Sequence, residues 1–98
     1  MKFHLLIVDD EVVIRKGLSD YINWDAYDCQ VTATASNGKE AIEIIENNNI
    51  DIVLTDIKMP VLDGIGLAEY VYENHPDIAV IILSGYSEFE YAQSAIKY

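Results

Sequence analysis

The sequence is poor in basic residues and in cysteine, and both shortages exclude classes of function. It has 6 lysines and arginines against 17 aspartates and glutamates, a formal net charge of −11. A surface this acidic repels phosphate backbones, so we expect no direct binding of nucleic acid. The single cysteine, Cys29, has no partner for an internal disulfide, which favours a cytoplasmic location.

Long apolar segments are also missing. No apolar run approaches the roughly 20 residues that a helix needs to cross a bilayer. The first apolar run reaches charge at Asp9, too soon for a signal peptide, so we expect no membrane association. With 98 residues, 51% of them hydrophobic, the chain suffices for one domain with a core, over residues 1–98.

Short apolar runs alternate with segments of helical periodicity. Strands are predicted at residues 3–8, 29–36, 51–56 and 78–83. Helices are predicted at residues 11–23, 39–49 and 87–98, and another helix, with Leu67, Ala68 and Val71 on one face, is predicted to stop near residues 74–76. In the first helix, one packed face is expected to contain Ile14, Leu18, Tyr21 and Ile22. The third and fourth strands are continuous apolar runs, which predicts that both of their faces are covered.

Four strand–helix repeats predict an α/β fold, a doubly wound parallel sheet with right-handed crossovers and helices on both faces. In such sheets, ligands bind beyond the carboxyl ends of the strands. Carboxylates occupy these positions: Asp9, Asp10 and Glu11 follow the first strand, and Asp56 ends the third. If those strands are neighbours, the acids converge and repel one another unless they are protonated or bound to a cation.

A hard divalent cation with oxygen ligands, Mg²⁺ above all, would offset this repulsion. The alternative is that Asp9 or Asp10 caps the first helix, as aspartate often does at a helix N-terminus. Ser84, after the fourth strand, would add a hydroxyl to the same rim, although turn formation alone would explain a serine before a glycine.

The stretches "LLIVDDE", "DIVLTDIKMPVLDG" and "VIILSGY", in this order and spacing, resemble the receiver domain of bacterial two-component response regulators. The resemblance covers the whole chain and implies a flavodoxin-like sheet of strand order 2-1-3-4. It implies that Asp56 accepts a phosphoryl group from a sensor histidine kinase and that the chain is a phosphoacceptor rather than an enzyme.

The resemblance also implies a ligand set. Asp10 and Asp56 would bind Mg²⁺ directly, Asp9 largely through water, and the main-chain carbonyl of Lys58 would complete the protein ligands. Ser84 would donate a hydrogen bond to a phosphoryl oxygen once Asp56 is modified. The physical chemistry agrees, since a carboxylate is already ionised at neutral pH and needs only charge compensation to attack phosphorus.

A narrower resemblance, in "INWDAYDCQVTATASNGKEA" and "SGYSEFEYAQSAIKY", is to receivers joined to AraC-type DNA-binding domains. It implies transcriptional regulation through a C-terminal output domain. The helix after the fourth strand, with Tyr86 and Tyr91, would then form the output surface.

The chain departs from the family pattern at its C-terminus. Receivers continue into a fifth strand, a Lys-Pro pair and a fifth helix, whereas the sequence ends at Tyr98 within the fourth helical pattern. We therefore expect a receiver truncated after helix 4, without the family's phosphate-pairing lysine. An uncovered apolar strand at residues 78–83, or the face of helix 4, would favour self-association.

Two other functions stay open on the sequence. An aspartate-nucleophile phosphatase would use Asp56, but that chemistry brings a second acid two residues later, where the sequence has Lys58. A binding module that keeps the fold without carrying phosphate is the other alternative. The set Asp9, Asp10, Asp56 and Ser84 argues against it, although the absent lysine keeps it open for this chain.

Overall fold

The computed structural model describes residues 1–83 of the chain. The elements are β1 (Phe3–Val8), α1 (Val12–Tyr21), a 3₁₀ turn (Trp24–Tyr27), β2 (Cys29–Ala35), α2 (Gly38–Asn47), β3 (Ile52–Asp56), α3 (Gly64–Asn74) and β4 (Ala79–Leu83). The predicted fourth helix, Ser84 and the output residues Tyr86 and Tyr91 lie outside these residues. Within residues 1–83, no helix is both long and apolar enough to span a bilayer.

The four strands form one parallel sheet in the order β2-β1-β3-β4. This confirms the predicted α/β fold and strand order. The register pairs Val8 of β1 with Thr55 of β3, so the two strands end side by side. The residues that follow them, Asp9 and Asp56, therefore come together at one edge of the sheet.

The larger part of the core lies between the sheet and helices α2 and α3. Leu67, Ala68 and Val71 form the predicted stripe on α3, and all three are buried. Ala41 and Ile45 of α2 are buried as well. Asn37 caps α2, because its Oδ1 accepts a hydrogen bond from the Glu40 amide at 2.8 Å. This side of the sheet follows the sequence prediction closely.

The opposite face carries α1, and here the prediction is partly wrong. No residue of α1 is buried, Tyr21 is 90% exposed, and Ile22 lies beyond the helix end as its C-cap. Leu18 does pack against the buried cluster of Leu5, Ile7 and Leu54, together with Trp24. A single amphipathic helix touches the sheet along a narrow line, so Tyr21 falls outside that line although its spacing is helical.

The fourth strand is another correction. Its burial alternates, with Val80 packed on the α2–α3 side and Ile81 51% exposed on the other. Coverage of both faces, which the apolar run predicted, is therefore wrong for β4 among the residues that the structure describes. The strand pairs with β3 on one side only, which makes it an outer strand of the described sheet.

Candidate functional site

Three carboxylates meet at the carboxyl end of β1 and β3. One carboxylate oxygen from each of Asp9, Asp10 and Asp56 lies within 4.8 Å of the others. Asp9 is 6% exposed, Asp56 is half-buried and Asp10 is exposed. The structure thus brings together three of the four acids that the sequence singled out, and the fourth, Glu11, is the N-cap residue of α1.

The electrostatics of the cluster are unfavourable without a counter-charge. Burial raises the pKa of Asp9, and the neighbouring charges of Asp56, Asp10 and Glu11 raise it further. The hydrogen bond from the Glu11 amide to Asp9 Oδ1, at 2.9 Å, offsets part of this by stabilising the ionised form. A group whose charge is disfavoured by its surroundings gains from a cation placed beside it.

Main-chain amides and one guanidinium hold the acids in place. The Ile57 amide donates to Asp56 Oδ1 at 2.8 Å. The Arg15 Nη1 donates to the Asp9 carbonyl, also at 2.8 Å, from the second turn of α1. These contacts orient the carboxylates before any ligand binds.

The capping alternative for Asp9 and Asp10 is wrong for α1. The N-cap residue is Glu11, whose side chain makes no capping hydrogen bond. Asp9 instead accepts from the Glu11 amide and orders the turn that precedes the helix. Asp10 is left exposed beside the other two carboxylates, which is a position suited to a ligand rather than to a cap.

The segment after Asp56 folds back onto it. The Gly64 amide donates to the Ile57 carbonyl at 2.7 Å, closing the segment at its base. A Cβ atom at Gly64 would overlap the Asp56 carbonyl oxygen, so only glycine fits there. The Thr55 hydroxyl donates to the same carbonyl at 2.9 Å. The backbone that presents Asp56 is therefore tightly packed on both sides.

The donor set fits a hard divalent cation. All three side chains offer carboxylate oxygens, and the spacing lets a single ion reach each of them. Mg²⁺ commonly takes one or two carboxylates and keeps several waters, which suits a site open to solvent at Asp10. Lys58 follows two residues after Asp56 and is exposed.

Three contributors to the site escaped sequence reasoning. Arg15 lies six residues after Asp9, and Thr55 was read only as part of a strand. Gly64 ends the quoted stretch "DIVLTDIKMPVLDG", but nothing there singled out its lack of a Cβ, which allows the chain to approach Asp56. A glycine eight residues after a strand-ending acid was the available signal for Gly64, whereas Arg15 left none.

The model of the response regulator receiver domain matches residues 5–98. The uncharacterized transcriptional regulatory protein YesN of Bacillus subtilis is 41% identical over 96 residues, which are 98% of this chain and 26% of YesN. The chain thus spans about a quarter of that relative.

Two solved structures are similar over nearly the whole chain. The REC domain of AraT, a response regulator from Geobacillus stearothermophilus, has a TM-score of 0.92 and 39% identity over 99% of this chain and 75% of that one. The two component transcriptional regulator AraC from Clostridium phytofermentans has a TM-score of 0.85 and 41% identity, with the same coverage of both chains.

Proposed function

The chain belongs to the response regulator receiver domain family, and we propose that it accepts a phosphoryl group on Asp56 from a sensor histidine kinase in a Mg²⁺-dependent reaction. The observation that carries the proposal is the convergence of Asp9, Asp10 and Asp56 at the carboxyl end of the sheet. Asp56 ends β3 and is half-buried. Its carboxylate is therefore held in position, and a phosphorus atom can reach it from the solvent side.

The protein contributes to this reaction mainly by positioning the Asp56 carboxylate and by compensating the charge of the phosphoryl oxygens. An oxygen of the ionised Asp56 attacks phosphorus, the bond from phosphorus to the kinase histidine nitrogen breaks, and that nitrogen keeps the electron pair. With a proton on the other ring nitrogen of the phosphohistidine, the products are an acyl phosphate and a neutral imidazole, and no general base is needed. Each molecule is modified once, so the chain is a phosphoacceptor and not an enzyme acting on a pool of substrate.

Mg²⁺ would supply positive charge to offset the phosphoryl oxygens and the attacking carboxylate. Asp9, Asp10, Asp56 and the Lys58 main-chain carbonyl would hold it. Ser84 would contact a phosphoryl oxygen, and a shift of the segment with Tyr86 and Tyr91 would carry the signal to an output domain. We further propose a cytoplasmic location and an output domain that binds DNA, in line with the relatives named as transcriptional regulators.

The test is the intact mass of the chain after incubation with a small acyl phosphate and Mg²⁺. We expect one added phosphoryl group, absent from an Asp56→Asn variant and absent without the metal. An Asp51→Asn variant, which changes an aspartate at the opposite end of the sheet, should still gain one phosphoryl group and so controls for nonspecific phosphorylation of aspartates. A phosphorylated Asp56→Asn protein would refute the assignment. No adduct on any protein would favour the module that keeps the fold without carrying phosphate.

We also propose self-association through β4 or the segment that follows it. The supporting observation is the exposure of two apolar side chains on this outer strand, Ile81 at 51% and Leu83 at 39%. Outer strands with apolar side chains pair readily with another chain. Light scattering at high concentration should give a mass above one monomer, and Ile81→Lys should lower it. A monomeric mass at high concentration would exclude this proposal.

A further inference from the structure

The segment between Asp56 and α3 contains a backbone conformation that valine rarely adopts. Val61 has a φ of 70°, in the left-handed region. It is the middle residue of a three-residue turn closed by a hydrogen bond from the Leu62 amide to the Pro60 carbonyl, at 2.8 Å. A turn of this kind with positive φ is rare and strained, and a β-branched residue makes it more so. The Val61 side chain is 76% exposed, so its own packing does not hold the turn.

The next residue, Leu62, is what holds it. The Leu62 carbonyl accepts a hydrogen bond of 2.9 Å from the amide of Gly38, the first residue of α2. A Cβ atom at Gly38 would lie 2.6 Å from that carbonyl oxygen and 2.9 Å from Leu62 Cβ. On the other side, a Cβ at Gly66 of α3 would lie 2.5 Å from Leu62 Cδ1. Leu62 is therefore enclosed between the first turns of two helices.

The same segment is also tied at its base. Its ends are joined by the hydrogen bond from Gly64 to Ile57, and Gly64 packs directly on the Asp56 carbonyl. Residues 57–63 are thus held at the base, at the strained turn and at the contact with α2. Strain of this kind persists only where the surrounding structure determines the conformation, and it tends to occur at functional sites.

We propose that Val61 and Leu62 are positioning residues, which use the strained turn and the contact with Gly38 to keep residues 57–63 in the shape that binds metal. This inference rests on the proposed function, because it assumes that the Asp56 carboxylate and the Lys58 carbonyl belong to one Mg²⁺ site. Mg²⁺ demands near-ideal octahedral geometry, so a segment that relaxed would lose affinity even with every carboxylate present.

Three substitutions at Val61 separate the backbone from the side chain. Val61→Gly accepts positive φ freely, Val61→Ala keeps the strain without the branched side chain, and Val61→Pro fixes φ near −65° and excludes the turn. Mg²⁺ binding is measured by calorimetry on protein shown to be folded by circular dichroism. We expect Val61→Gly and Val61→Ala to stay within about threefold of the parent affinity, and Val61→Pro to lose about tenfold or more.

A metal-free measurement tests the same contact. Hydrogen exchange at the Gly38 amide, which donates to Leu62, should speed up in Val61→Pro and stay slow in Val61→Gly. Should Val61→Pro fail to fold, Gly38→Ala takes its place, since it pushes against the Leu62 backbone. Gly66→Ala is its matched control, because the three atoms nearest the new Cβ there, Leu62 Cδ1, Leu62 Cγ and Asp63 Oδ1, all belong to side chains.

The outcomes distinguish this inference from the function beneath it. Equal Mg²⁺ affinity in the parent and Val61→Pro, with faster exchange at Gly38, would overturn the positioning role and leave the metal site intact. The positioning role would also be overturned if Val61→Gly and Val61→Pro lost the same amount of Mg²⁺ affinity. The valine side chain, and not the turn, would then be what matters. A parent protein that binds no Mg²⁺ would overturn the metal site and this role together.

Discussion

At the carboxyl end of the sheet three aspartates lie close enough to repel one another, whereas at the amino end Glu46 and Asp51 accept hydrogen bonds from residues far away in the sequence. Asp9 has a raised pKa, with burial as the main cause and the charges of Asp56 and Asp10 adding to it. At the other end, Glu46 of α2 accepts hydrogen bonds from the Tyr70 hydroxyl and from His75 Nε2, and both lower its pKa.

Asp51 also accepts a hydrogen bond from β1, since its Oδ2 accepts from the His4 amide at 2.7 Å. The amino end therefore uses its acids to join elements: Glu46 connects α2 to α3 and to the residue after it. The carboxyl end leaves its acids in mutual repulsion. One end stabilises the fold, and the other carries a cost in stability that the proposed cation would offset.

The largest expected effect comes from filling the space beside Asp56. Gly64→Ala places a Cβ against the Asp56 carbonyl, where only backbone can move, and should cost about 2–3 kcal/mol of unfolding free energy. Gly66→Ala, two residues later in α3, meets side-chain atoms of Leu62 and Asp63 rather than main-chain atoms and should cost under about 1 kcal/mol. Urea unfolding of both proteins measures the difference. If the two variants lose the same unfolding free energy, the packing of Gly64 against Asp56 is no tighter than the packing of Gly66 against Leu62.

The second effect is stabilisation of the folded protein by Mg²⁺, which we expect to bind only at the carboxyl end of the sheet. At tenfold excess over its dissociation constant, Mg²⁺ should raise the unfolding free energy by about 1.4 kcal/mol. Asp56→Asn should reduce this gain, and Glu46→Gln should leave it unchanged. Thermal unfolding with and without Mg²⁺ provides the measurement, and Ca²⁺-free buffer with a chelator sets the baseline. A gain that survives in Asp56→Asn would place the ion elsewhere.

Removing one acid from the crowded end should stabilise the metal-free protein. Asp56→Asn keeps an oxygen to accept from the Ile57 amide and removes a charge that disfavours ionised Asp9. We expect a gain of about 1 kcal/mol in unfolding free energy. Asp51→Asn, the same change at the amino end, should give no gain because Asp51 is not among the charges that raise the pKa of Asp9. If both variants gain equally, the effect is one of net charge and not of the site.

The smallest effect concerns pH at the amino end. The pKa of Glu46 is lowered, first by Tyr70 and then by His75. Ionised Glu46 therefore stabilises the fold at pH values above the pKa that it has in the unfolded chain. This stability is lost as the pH falls through the pKa of Glu46 in the folded protein. Tyr70 has a raised pKa because of Glu46, so its contribution is lost as pH rises past 10. Glu46→Gln should lower the unfolding midpoint at neutral pH by less than Gly64→Ala does. It should also flatten the acid limb of the stability profile, and an unchanged limb would contradict the role assigned to Glu46.

Local patterns in the sequence determined the larger part of the fold. Apolar runs separated by helical stripes predicted the parallel sheet, because a strand and a helix bury side chains with different periods. Asp9 and Asp56 could be placed together since each directly follows a strand and parallel strands share one carboxyl edge. The buried stripe of α3, with Leu67, Ala68 and Val71, needed no tertiary information either.

Only the tertiary structure decided how the segments meet. The exposure of Tyr21 and of alternate β4 residues depends on how much surface covers each element, which no local period reports. The closure of Glu46 on His75 joins residues 29 apart, and the enclosure of Leu62 by Gly38 and Gly66 joins two helices. The positive φ of Val61 opposes the preference of its own residue type, so contacts made elsewhere in the fold must impose it. Sequence placed the acids at the edge of the sheet, and long-range packing set the shape of the chain that presents them.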